Sequence, residues 1–281
     1  MKLWLNGKIL PAATACIDPS DRGLLLGDGV FETMAVKDSA IADLDRHYAR
    51  LMAGAALLRL IVPLSAADLA AAVSELLTET ALPAAIVRLT LTRGPGARGL
   101  LPPSHPQTPT ILLTTAPLPP PGGSVRLITS TIRRDETSPL SAVKSLNYLP
   151  GVLARIEAAE QSADDAVLLN HAGHVAEASA ATLFAYLNGN WVTPPLCDGA
   201  LPGICRAKLL EVGNVQERTL TRTDLKRAEA ISLGNVLGLK PVMVLDGRML
   251  ATLATPESDS LTQDVPTCHQ DGTSAEMPIR R

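Results

Sequence analysis

Aromatic residues are scarce in this chain: two Trp, three Tyr and two Phe among 281 residues. Proteins that stack nucleic-acid bases need more of them. The net charge of −3, with no dense basic run, removes the electrostatic side of that function too, so no nucleic-acid partner is expected. Cysteine is equally sparse. Cys16, Cys197, Cys205 and Cys268 show no CxxC spacing, which argues against a disulfide framework and against a zinc site. Free thiols are expected, and no metal. Long apolar runs are missing as well: nothing approaches the ~20 residues that span a bilayer. The opening MKLWLNGKIL lacks a signal-peptide layout and reads as strand, turn and strand across Asn6-Gly7. These absences predict a cytoplasmic protein with no membrane partner.

What is present is aliphatic. Apolar residues make up 46% of the chain, mostly Ala, Leu, Val and Ile. A chain of this length buries roughly 75% of the surface it exposes when unfolded. Helices are predicted at 46–60 with Asp45 as cap, at 66–79 with Ser65 as cap, at 203–212 and at 224–228. A further helix is predicted at 145–161, with Pro150 disturbing its first turns. Residues 30–36 alternate as a half-buried strand, and strands are predicted at 84–93, 108–115, 124–131, 166–170 and 230–233. Asn188-Gly189 and Asp246-Gly247 mark hairpins. PLPPPGG, at 117–123, is a semi-rigid connector. It divides the chain into an α/β domain over 1–116 and a second α/β domain over 124–251. The tail, 252–281, is polar and aperiodic and is expected to be poorly ordered.

Four places carry chemistry. Of seven lysines, six lie at the terminus, in turns, in polar helical stretches or before a proline, and read as solvated surface charges. Lys144 differs, because the five residues on either side of it (PLSAV and SLNYL) are all uncharged. Burial penalises an ammonium, and the neutral amine so favoured is the form that attacks an aldehyde cofactor. The competing reading is a lysine snorkelling at a strand end. Glu177 sits between short apolar strands, where an unpaired carboxylate is costly. It is either a cap or turn residue, or a group that keeps a heteroaromatic nitrogen protonated. In LPGICR, Gly203 opens a helix whose first amides, from Ile204 and Cys205, offer an anion site, as every helix start does. Arg50, one turn after His47, is either an exposed helix residue or a bidentate phosphate clamp.

Taken together and in this order, DRGLLLGDGVFET, HYARL, LTRGPGARG, VKSLNYLPGVLAR, GHVAEASAATLF, LPGICR and GNVLGLKPV resemble the fold-type-IV pyridoxal-phosphate enzymes, over about residues 3 to 250. That family includes branched-chain aminotransferases, D-amino-acid aminotransferases and 4-amino-4-deoxychorismate lyases. The resemblance implies a two-domain α/β fold with the site between the domains, pyridoxal 5'-phosphate as cofactor, and a homodimer. It implies that Lys144 forms the Schiff base and shuttles the proton, that Glu177 pairs with the ring nitrogen, and that Tyr148 approaches the phenolic oxygen. Arg50, Ile204, Cys205, Gly234 and Asn235 would hold the phosphate, and Leu201 would pack on the ring. Cys205 stands where a hydroxyl residue is usual, so the cup loses a hydroxyl contact. Thr182 replaces a common asparagine.

Phe31 and the loop RGPGARG lean toward the lyase, which releases pyruvate and 4-aminobenzoate for folate biosynthesis, and so does NVLGLKPV. Arg98 matches a carboxylate-binding arginine of D-amino-acid aminotransferases, although Leu100 replaces its accompanying histidine. Arg88 is a second candidate for a substrate carboxylate. The first expectation is therefore a lyase and the alternative an aminotransferase for D-amino or branched-chain amino acids. A non-catalytic binder of phosphorylated small molecules is the third. In each case the partner is a small molecule, an amino substrate for the two enzymes.

Overall fold

The computed structural model describes residues 1–38, 40–102, 108–120, 123–253 and 255–256. Two sheets lie on either side of the Pro-rich connector. The first orders as β2-β1-β6-β5-β3-β4, with β1 (Lys2–Leu5), β2 (Lys8–Pro11), β3 (Gly29–Lys37), β4 (Ala40–Ile41), β5 (Ala84–Thr92) and β6 (Thr110–Pro117). All its pairings are antiparallel. One face buries Met34, Val36, Val87 and Leu89 against α2 (Leu44–Leu58) and α3 (Ala66–Thr80). Ser65 and Asp68 close a capping box on α3, a device worth about 1 kcal/mol.

The helix 44–58 begins earlier than predicted. Asp43, not Asp45, precedes it, in a left-handed conformation and without a side-chain cap bond. The Asp43 carboxylate is used instead on Lys208, 3.0 Å away. Lys208 is itself buried, so its reading as a surface charge is corrected. The short helix α1 (Arg22–Leu26) is capped by Asp21 and was not predicted.

The prediction for 30–36 also needs correction. The strand is longer, and Phe31 and Glu32 are buried in succession. The reason is a crossing segment from the second half: the Phe31 amide donates to the Lys144 carbonyl and the Leu146 amide to the Gly29 carbonyl. That segment pairs the edge of the strand at this end, while Tyr148 packs on Phe31 and His47 and Arg50 of α2 hold Glu32 on the opposite face.

The second sheet orders as β12-β11-β10-β13-β14-β7-β8-β9, with β15 (Arg248–Met249) on β14. Its strands are β7 (Val125–Arg134), β8 (Asp165–Asn170), β9 (Val175–Ala178), β10 (Thr182–Leu187), β11 (Asn190–Thr193), β12 (Gln216–Glu217), β13 (Ala230–Asn235) and β14 (Gly238–Leu245). α4 (Leu149–Glu160) packs on β7 and β8. It starts four residues later than predicted, because Pro150 sits in its first turn, where a missing N–H costs nothing, and does not kink its interior. α5 (Ile204–Glu211) and α6 (Arg222–Arg227) complete the half. Residues 257–281, most of the predicted tail, and Cys268 lie outside the described residues. Among the described residues no helix is long and apolar enough to cross a membrane, and no His/Cys/Asp/Glu cluster is arranged for a metal ion.

Candidate active site

Strand pairing sets the floor of the site. Thr33 faces Arg88 and Phe31 faces Thr90 across β3 and β5, so Phe31 and Arg88 share one face of the sheet. The Arg88 guanidinium lies 3.8 Å from the centre of the Phe31 ring. Among the described residues no acidic group or carbonyl is paired with Arg88. A cation in that state is a receptor for an anion.

Lys144 reaches the same ring. Its backbone is fixed by the bond from Phe31, after the short turn Pro139–Ala142, and its Nζ stands 4.4 Å from the Phe31 ring centre. Nζ donates to the Tyr148 hydroxyl at 3.3 Å. Burial is the main cause that pulls the Lys144 pKa from 10.5 to about 8. Arg50 and Arg88 push it the same way, while Glu32 and Glu177 oppose them. Near neutral pH a useful fraction of this amine is uncharged, as a nucleophile and base requires. Tyr148 packs edge-on against Phe31, at 4.9 Å between centroids, and burial pushes its phenol up to about 12.

Glu177 lies on β9. Its Oε2 accepts the Leu201 amide at 3.0 Å, and its Oε1 pairs with Arg134 Nε at 3.0 Å. Burial raises the Glu177 pKa, against the pull of Arg134, the Leu201 amide and Lys144. A carboxylate held so dry gains from a cationic partner. Arg134 also donates to the carbonyls of Gly199 and Ser141, both at 3.0 Å. It thus ties together the Glu177 carboxylate, the turn before Leu201 and the turn before Lys144.

The third corner is the start of α5, where Gly203 offers no side-chain cap and Ile204 and Cys205 form the first turn. Gly234 packs against it: a Cβ there would lie 2.8 Å from Cys205 Sγ. Asn235 uses its Oδ1 on the Leu237 amide, within its own turn. Arg50 arrives from α2, donating from Nη1 to the Pro202 carbonyl at 3.1 Å. Its Nε and Nη2 contact the two oxygens of Glu32 at 2.8 and 2.7 Å, and His47 Nδ1 lies 2.8 Å from the second of these.

The structure therefore brings Lys144, Tyr148, Phe31 and Arg88 together, places Glu177 beside Leu201, and sets Arg50 against the α5 start with Cys205 and Gly234. Arg98 stands exposed on the loop after β5, and no contact links it to this group among the described residues. Sequence reasoning missed Glu32, His47 and Arg134. His47 and Arg50 at i and i+3 were a legible hint, since that spacing puts both on one helix face. Arg134 lies three residues past the predicted end of its strand at 131, and its role depends on β7 running to residue 134.

These residues fit pyridoxal phosphate. An amine of lowered pKa, a buried carboxylate suited to a ring N–H, and an uncapped helix start beside a guanidinium match its aldehyde, its pyridine nitrogen and its phosphate.

The comparisons agree. Residues 29–244 match the family model for amino-transferase class IV. A Methanocaldococcus jannaschii protein, provisionally named a branched-chain-amino-acid aminotransferase, is 37% identical, over 89% of this chain and 90% of that one. The D-alanine aminotransferase of Bacillus licheniformis is 28% identical over 98% of each. The crystal structure of 4-amino-4-deoxychorismate lyase from Pseudomonas aeruginosa superposes with a TM-score of 0.77 at 32% identity, covering 88% of this chain and 93% of that one. With most of its length inside the family model, the chain belongs to the class IV amino-transferase family of pyridoxal-phosphate-dependent enzymes.

Proposed function

We propose that this chain is an aminotransferase for branched-chain or D-amino acids. Lys144 carries both the cofactor and the proton, and Arg88 receives the substrate carboxylate. The observation that carries this reading is the Lys144 amine itself, lowered to about 8 and placed between the Tyr148 hydroxyl and the Phe31–Arg88 pair. The branched-chain relative at 37% identity favours transamination over elimination.

Bound pyridoxal phosphate supplies a protonated ring that accepts the electron pair released when the substrate loses its proton. The residues of the chain do the rest. Glu177, contacted by Arg134 and the Leu201 amide, would hold the proton on the ring nitrogen. Arg50 and the amides of Ile204 and Cys205, with Gly234 and Asn235 behind them, would bind the phosphate, and Leu201 would cover the ring. Arg88 orients the substrate by its carboxylate. Lys144 Nζ takes the proton from the substrate carbon and returns it as general acid. The Tyr148 hydroxyl, protonated throughout the neutral range, steadies the amine between the two positions. The working unit is a homodimer, as the apolar outer face of α4 suggests: Leu149, Val152, Leu153 and Ile156 are 72%, 48%, 51% and 50% exposed.

A second reading, 4-amino-4-deoxychorismate lyase, is favoured by the 32% identity to the solved Pseudomonas enzyme and by the loop text noted above. One experiment separates the two. The loaded protein is mixed with branched-chain and D-amino acids without any oxo-acid acceptor. An aminotransferase yields one equivalent of 2-oxo acid per site and then stops, and Lys144→Ala yields none. Sustained release of pyruvate and 4-aminobenzoate from 4-amino-4-deoxychorismate, with no such burst, would overturn the first reading in favour of the second.

A further inference from the structure

Glu32 is 1% exposed and lies at the centre of a three-residue network with His47 and Arg50. A carboxylate this dry persists only when paired. Arg50 supplies two donors, Nε to Oε1 and Nη2 to Oε2, at 2.8 and 2.7 Å. His47, also buried, brings Nδ1 to 2.8 Å from the same Oε2, and because an ionised carboxylate only accepts, Nδ1 carries the proton. Attraction from Arg50 and His47 holds the Glu32 carboxyl below the usual range, against its burial.

An arginine has five N–H donors. Two are spent on Glu32, and one on Nη1 goes to the Pro202 carbonyl. The donors left are on Nη1 and Nη2. Only one edge of the guanidinium is therefore available, and it adjoins Pro202, two residues before the first turn of α5. Glu32 also matters for charge. It and Arg50 act on Lys144 in opposite directions, so the pair reaches the amine partly cancelled.

We propose that Glu32, oriented by His47, is a positioning residue that turns the free edge of Arg50 toward the start of α5 and so completes the anion cup. This inference rests on the reading that Arg50 takes the phosphate. A merely structural ion pair would cost stability when broken and leave anion affinity alone.

The test uses the full chain freed of cofactor, titrated with pyridoxal phosphate by absorbance, with inorganic phosphate as competitor. Glu32→Gln should raise both dissociation constants at least tenfold. It should also move the pH midpoint of cofactor capture downward, because Lys144 loses a neighbouring anion while keeping Arg50. Glu32→Asp keeps the charge but is too short to span Arg50 and His47, so it should lose affinity with the midpoint unchanged. It serves too if the glutamine variant fails to fold. Arg50→Lys is the control. If it weakens both ligands while the Glu32 variants bind as the parent does, the proposal is overturned and the network is structural only. If Arg50→Lys itself leaves affinity unchanged, the phosphate reading of Arg50 falls, and the proposal with it.

Discussion

Replacing Arg134 by leucine removes the one guanidinium that contacts Glu177 among the described residues, and the effect can be worked out from the geometry. Arg134 Nε stands 3.0 Å from Glu177 Oε1, with the two side chains 22% and 12% exposed. Breaking a buried pair from one side costs ~3–5 kcal/mol, because the surviving charge is stranded. The carbonyls of Gly199 and Ser141 lose a charged donor as well, at ~1–3 kcal/mol each if they stay dry. Arg134 is partly open to water, so the lower end of each range applies, and a total of about 5 kcal/mol near pH 8 is expected. The pH dependence identifies the cause. Burial already holds the Glu177 carboxyl above its usual range, and Arg134 pulls it down. In Arg134→Leu it rises further. A carboxyl with a folded pKa above its unfolded value binds the proton more tightly when folded. Its charge therefore costs no stability below the unfolded value near ~4.3, and the cost grows as pH rises toward the folded pKa. The deficit against the parent should be smallest near pH 4.5 and largest near pH 8. Urea unfolding at a series of pH values measures it. A deficit that stays constant over that range would refute the reasoning, leaving only the carbonyl contacts as the source of the loss.

Two further perturbations probe the cup and the outer surface. Cys205→Thr should hold pyridoxal phosphate at least as tightly as the parent, because the methyl replaces the sulfur against Phe184 and Leu209 while the hydroxyl regains a contact at the helix start. Weaker retention would contradict that account of the cup. In the parent, burial pushes the Cys205 thiol up to about 12, so it should stay unmodified by Ellman's reagent at pH 8 until the chain unfolds, whereas the exposed Cys16 and Cys197 react at once. Leu153→Glu puts a charge in the exposed apolar face of α4. It should halve the mass measured by light scattering, and an unchanged mass would count against that face as the dimer contact.

The sequence made the elements legible wherever the signal was local. Ser65 announces α3 by itself, and Asn188-Gly189 announces its hairpin. Errors arose where a distant residue decided the outcome. Asp45 looked like a cap, but Asp43 precedes the helix, and its carboxylate belongs to Lys208, from the other half of the chain. The same contact accounts for the misreading of Lys208, a lysine in a polar stretch whose burial only the tertiary fold reveals. The segment after Lys144 reads as helix by composition. It stays out of the helix until Leu149, and the Lys144 carbonyl and the Leu146 amide pair with β3 instead.

The candidate site divides along the same line. Lys144, Glu177 and Arg50 were visible because each sits in a distinctive local text, whereas Glu32 and Arg134 were not, since their meaning lies in what they pair with. Those two residues also bear on why Lys144 is tuned as it is. Four charges act on its amine: Arg50 and Arg88 against Glu32 and Glu177. The signs are balanced two to two, so these opposed pulls largely offset one another and burial is left as the leading cause of the fall to about 8. A lysine lowered by burial alone would be exposed to any stray charge nearby. Here Arg50 is bonded to its own carboxylate, Glu32, and Glu177 acts on the amine in the sense opposite to Arg88. The fold thus keeps the amine reactive through dryness while the cationic groups needed for phosphate and substrate stand close by.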